Sequence, residues 1–96
     1  MKLKIDLSKE QKEADQKIVL EFIANKGNVR PVTLLTLGQP LEKAGKRIYG
    51  TVRAYIGLDD LIDQGLVCEG EDKMGLFYEL TPRGKQKYDL IKNQRN

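Results

Sequence analysis

The chain has 96 residues, room for one small domain with one modest core, because a chain this short buries only about two-thirds of the surface it exposes when unfolded. Apolar residues make up 40% and charged residues 32%, which is too apolar for disorder, and the length excludes a two-domain enzyme. With no His, no Trp and a single Cys, Cys68, the chain lacks the means for zinc ribbons, Ser-His or Cys-His nucleophile pairs and disulfide stapling; its formal net charge is only +3.

Ser8 with Gln11 three residues on has the pattern of a helix-capping box, and Ala14, Ile18, Val19, Phe22 and Ile23 follow at helical spacing until Gly27. These features predict an amphipathic helix over 8–26. Leu20 falls off that stripe, which leaves it exposed or part of a second buried face such as a dimer contact. From Asn28 to Gly45 the chain is punctuated by Pro31, Gly38, Pro40 and Gly45. Val29 to Pro31 reads as a short strand or turn, and 32–45 as a broken second helix. The most periodic segment is 48–64, where Ile48, Val52, Tyr55, Leu58, Leu61 and Ile62, with Ala54, form one broad arc ending at Gly65 as a C-terminal cap. Its opposite face carries Tyr49, Arg53, Ile56 and Asp60, flanked by Gly50 and Gly57. Two glycines inside a helix cost about 1 kcal/mol each relative to Ala, so they point to tight packing or to another backbone close by.

After Gly65 the period changes to two, which predicts a β-hairpin over 66–80 with Glu71 to Met74 as its polar tip. Leu76, Tyr78 and Leu80 point to one side of it, Phe77 and Glu79 to the other. Thr81 as N-cap and Pro82 at the first helical position open a last helix over 82–94. Its apolar stripe of Gly84, Tyr88 and Ile91 is thin, so it needs either the rest of the domain or a second copy of the chain to pack against. Cys68 alternates with Leu66 and reads as a small buried apolar residue. No apolar run reaches the roughly 20 residues of a membrane span, and the start, Met1 to Asp6, lacks the apolar stretch of a signal peptide. A soluble protein of the reducing cytoplasm is expected, with no membrane partner.

The charge is unevenly spread. Four cations and no anion lie between Lys43 and Arg53, six anions and no cation between Asp59 and Asp72, and six cations against two anions from Lys73 to Arg95. The element order of helix, broken helix, long helix, hairpin and helix predicts an α+β, mostly α fold across 1–96.

Two junctions give this order a likeness. Tyr55-Ile-Gly-Leu-Asp-Asp-Leu-Ile-Asp-Gln-Gly-Leu-Val67 resembles the end of the recognition helix in PadR-like and MarR-like regulators, and Tyr78-Glu-Leu-Thr-Pro-Arg-Gly-Lys85 is similar to the segment that leads from their second wing strand into a C-terminal helix. The resemblance implies a winged helix-turn-helix domain with a three-helix core, a hairpin wing and a C-terminal helix. It further implies double-stranded DNA as the partner, with the helix from Ile48 entering the major groove by its N-terminal half and two copies meeting successive grooves. On that footing Lys46 and Arg47 just before the recognition helix and Tyr49, Gly50 and Arg53 on it are the expected DNA contacts, with Lys73 at the hairpin tip and Arg83 and Lys85 on the last helix as backbone contacts. The expected function is a transcriptional regulator acting as a homodimer, without enzymatic activity, cofactor or metal. The alternative is a winged helix used to dock a protein partner; an RNA or single-strand binder ranks below both, because the wing lacks paired aromatics for base stacking.

Overall fold

The computed structural model describes residues 8–37 and 50–94. The first helix, α1 (Lys9–Lys26), starts as predicted, with the Ser8 hydroxyl accepting from the Gln11 backbone N–H at 3.1 Å. The Gln11 side chain, which in a full capping box reaches back, reaches forward instead and donates to Asp15 at 2.9 Å. Gly27 ends the helix at φ 85°, its N–H donating to the Ile23 carbonyl. A two-residue strand, β1 (Asn28–Val29), then runs into α2 (Pro31–Leu34) and a tighter 3-10 turn (Leu35–Leu37), so the ambiguous segment is a strand followed by a helix start. The second half of the predicted broken helix, 38–45, lies outside the described residues.

The long helix is α3 (Gly50–Asp63), and the hairpin is β2 (Val67–Asp72) with β3 (Gly75–Leu80), followed by α4 (Pro82–Asn93). The three strands make an antiparallel sheet in the order β1-β3-β2, with Val29 opposite Tyr78 and Val67 opposite Leu80. The molecule is therefore α+β and mostly helical, with a small sheet at one side. The loop between β2 and β3 is only Lys73 and Met74, two residues tighter than the predicted tip. No non-glycine residue among those described takes positive φ, so the left-handed step falls on Gly75 at φ 109°.

The core gathers Val19, Leu20 and Ile23 from α1, Ala54, Leu58 and Leu61 from α3, Val29, Leu34 and Leu37 between them, and Leu66, Val67 and Tyr78 from the hairpin side. Burying each large aliphatic side chain is worth about 1.5–3 kcal/mol, so this cluster supplies the drive that brings the helices together. Leu20 belongs to it, buried within its own chain, while Ala14 is exposed. The inward face of α1 is thus rotated from the sequence stripe toward Asp15 and Leu20. Cys68 is half-buried on β2.

The two junctions singled out in the sequence meet each other in space. Thr81 caps α4 by accepting from the Gly84 N–H at 3.0 Å, donates its hydroxyl hydrogen to the Gly65 carbonyl at 2.6 Å, and gives its own N–H to the Leu66 carbonyl. A Cβ on Gly84 would lie 2.0 Å from the Leu66 carbonyl oxygen, so only glycine lets α4 lie this close to the α3–β2 turn.

Between α1 and α3 lies a pair that the helical wheel did not anticipate. Arg53, expected on the exposed face of α3, is 1% exposed and donates through Nε to Asp15 Oδ2 at 2.8 Å, with Nη2 on Oδ1; Asp15 is equally buried. Gly57, one turn on, permits the approach: a Cβ there would touch the Val19 side chain at 3.3 Å and the Asp15 carbonyl oxygen at 3.5 Å. A buried pair of this kind is costly to break on one side, because the surviving charge is left without its counter-charge. Arg53→Ala or Asp15→Ala is expected to cost about 3–5 kcal/mol in urea unfolding, and the double change Asp15→Leu/Arg53→Met to recover most of the loss.

Candidate nucleic-acid interface

The expected DNA-contacting residues fall into three groups. Lys46, Arg47 and Tyr49 lie outside the described residues, and Gly50 opens α3. Arg53 is removed from the surface by its pair with Asp15, which corrects its expected exposed position: a guanidinium only 1% exposed and paired in the core is out of reach of a base edge or a phosphate. Lys73, Arg83 and Lys85 are exposed. They do not converge, since Lys73 sits at the hairpin tip and the other two at its root, a strand length of about 20 Å away.

With Arg53 turned inward, the solvent side of α3 consists of half-buried Val52, Ile56 and Asp59 and exposed Asp63. Asp60 is tied to α1, accepting from Gln16 Nε2 at 3.1 Å. The described part of α3 therefore presents no cation outward. Its first turn holds no acid, and its three carboxylates occupy the second half, next to the C-terminal end of the helix dipole. Tyr55 is half-buried and donates to the Pro31 carbonyl at 3.3 Å, fixing α2 against α3.

The hairpin tip is organised by Arg30, a residue with no local signal in the sequence. Its guanidinium meets the Asp72 carboxylate in a two-pronged pair, Nη1 to Oδ1 at 3.1 Å and Nη2 to Oδ2 at 2.6 Å. Nη1 also donates to the carbonyls of Gly75 at 3.3 Å and Leu76 at 3.4 Å, and the cation lies 5.9 Å from the centre of the Phe77 ring. Asp72 Oδ1 accepts in turn from the Met74 N–H at 2.9 Å, closing the tip. One acid of the tip is thus neutralised, which leaves Glu71 and Lys73 as its open charges.

Among the described residues no cluster of three or more carboxylate or thiolate groups is placed to hold a metal ion, and no helix is long and apolar enough to cross a membrane. No protein-family model matches the chain, and a search of curated proteins finds no relative.

The Arg30 guanidinium, and after it the Met74 N–H, hold the Asp72 carboxyl below the ordinary aspartate range. A carboxyl depressed in the folded state stabilises the fold above its unfolded pKa, and that contribution is lost as pH falls through the folded value. In a ¹³C carboxyl titration Asp72 should titrate at lower pH than an ordinary aspartate, and Arg30→Gln should move its midpoint upward. Identical midpoints in the two proteins would contradict the pairing.

Proposed function

We propose that the chain is a winged helix-turn-helix domain that binds double-stranded DNA as a transcriptional regulator. Lys46, Arg47 and Tyr49 at the approach to α3 make the principal contacts, and Lys73 makes a flanking phosphate contact. The observation that carries this reading is a braced hairpin beside a helix whose first turn is free of acid and whose preceding segment is rich in cations. A helix start of this kind offers N–H groups and a positive dipole end to phosphate, and a fixed hairpin can flank the same duplex. The acids of α3 sit in its second half, which is repelled by phosphate and must tilt away from the groove. Readout thus rests on the N-terminal approach of the helix, with Gly50 allowing the backbone to come close. Arg83 and Lys85 are secondary contacts to the DNA backbone.

A second reading has its own support. The outward strip of Val52, Ile56 and Asp59 on α3 combines apolar and acidic character, which suits a protein partner better than a base edge. Fluorescence anisotropy with a generic duplex across a salt series separates the two. Duplex binding that weakens steeply with salt is expected, and Lys46→Ala/Arg47→Ala should make the slope shallower by about 0.9 for each phosphate that is no longer neutralised. A folded protein that fails to bind duplex at low salt would leave the protein-docking reading in its place.

The homodimer belongs to the same proposal, and its support is narrower than the sequence suggested. Leu20 is spent in the core of its own chain, whereas Leu90 on α4 is 62% exposed beside partly buried Ile91. Packing of two α4 helices through Leu90 would set two recognition helices on successive major grooves. Sedimentation equilibrium should show a dimer that Leu90→Lys shifts to monomer; a wild-type monomer at high micromolar concentration would rule the dimer out.

A further inference from the structure

A cleft of about 560 Å³ opens between the first three turns of α1, the end of α3 and the outer face of α4. Its rim carries Lys9, Lys12 and Lys17 from α1 and Lys87 from α4, against one carboxylate among the described residues, that of Glu13. All four lysines are exposed, and none has an ion-pair partner among the described residues. The three on α1 lie on one side of that helix, so their ammonium groups border the same opening that Lys87 borders from the other wall.

The floor adds direction to this charge. Gln64 Nε2 donates to Gln16 Oε1 at 2.9 Å, and Gln16 Nε2 donates to Asp60, which holds both amides in a defined orientation. Each amide has further hydrogen-bonding capacity beyond these bonds, including the Gln64 carbonyl oxygen. Leu20, Leu61 and Leu66, all buried, give the lining its apolar part.

We propose that this cleft binds a small organic phosphate of about nucleotide size, its phosphates held by the lysine rim and its polar body by the Gln16–Gln64 amides. The volume lies in the range of small-molecule sites. A duplex about 20 Å across does not enter a cleft of this size, and the described lining residues include no aromatic side chain to give the stacking that single strands use. Charge selects phosphate: four point-charge cations that rotate freely suit a group with several oxygens and more than one negative charge. The site uses neither the approach to α3 nor the hairpin, so it goes beyond the DNA-binding reading and does not rest on it.

The test is amide chemical-shift mapping of the full-length ¹⁵N-labelled chain with adenosine triphosphate, with adenosine and with a short DNA duplex as separate probes. Adenosine triphosphate should shift the amides of 9–17, Gln64 and Lys87 with a Kd below about 1 mM, while adenosine leaves them in place. Lys12→Ala/Lys87→Ala should keep the wild-type pattern elsewhere in the spectrum and bind about tenfold more weakly or worse. The proposal is overturned if those amides stay still at millimolar adenosine triphosphate, if the double variant binds as well as wild type, or if the duplex shifts the same amides. Because the readout is local to the cleft, a chain that ignores DNA altogether still gives a decisive answer.

Discussion

Everything outward-facing on α3 follows from the pairing of Arg53 with Asp15. Two ions taken out of water have to stay together, so α3 is not free to roll on α1 without stranding a charge. The roll angle being fixed, Ala54, Leu58 and Leu61 are directed into the core and Val52, Ile56 and Asp59 toward solvent. Packing of apolar side chains alone tolerates several such angles, since shape-matched hydrophobic surfaces can slip and refill. A bidentate guanidinium–carboxylate pair, with Gln11 bonded to the same carboxylate, tolerates one. The pair also removes from the surface the one cation within the described length of α3, and so divides the helix into an acidic, apolar outer strip and a cation-rich approach.

The hairpin is held by comparable means at both ends. At its root, Thr81 joins the start of α4 to the carbonyls of Gly65 and Leu66, and Gly84 lets α4 settle against that turn. At its tip, Arg30 reaches across from the β1–α2 connection to Asp72 and to the β3 backbone. A two-stranded ribbon by itself is marginal in water. These two clasps, with β1 added alongside, make the ribbon a fixed extension of the helical layer, which any use of it as a recognition element requires.

The elements were legible in the sequence almost to the residue wherever local chemistry sets them. Ser8, Gly27, Gly65, Thr81 and Pro82 mark ends through capping geometry that acts over three or four residues. The hairpin showed itself because alternation over 66–80 has no helical interpretation. What escaped was set by partners far apart in the chain. Arg53 finds Asp15 across 38 positions and Arg30 finds Asp72 across 42, and a helical wheel that scores every charge as outward has no term for a charge neutralised by another element. One hint was available: Asp15 lies four residues before Val19 and eight before Ile23, on the inward side of α1, where a carboxylate needs a cation opposite it. The candidate contacts divide the same way. Lys73, Arg83 and Lys85 were expected outside and are outside, whereas Arg53 was misplaced by treating a long cation near an apolar arc as solvent-facing.

The sheet has a further property that follows from how short β1 is. Two residues of β1 cover only Tyr78 and Glu79 of its neighbour, so the outer rim of β3 toward Gly75 would stand bare. Arg30 occupies that rim instead, donating to the Gly75 and Leu76 carbonyls that another strand would otherwise seek. The opposite rim, β2, carries exposed Glu69 and Glu71, and two copies meeting there in antiparallel fashion would bring carboxylates face to face. The stretch of β3 that β1 leaves uncovered and the rim of β2 thus both resist strand-by-strand growth, one by a guanidinium and one by repulsion. The sheet gains from this a resistance to edge-to-edge aggregation.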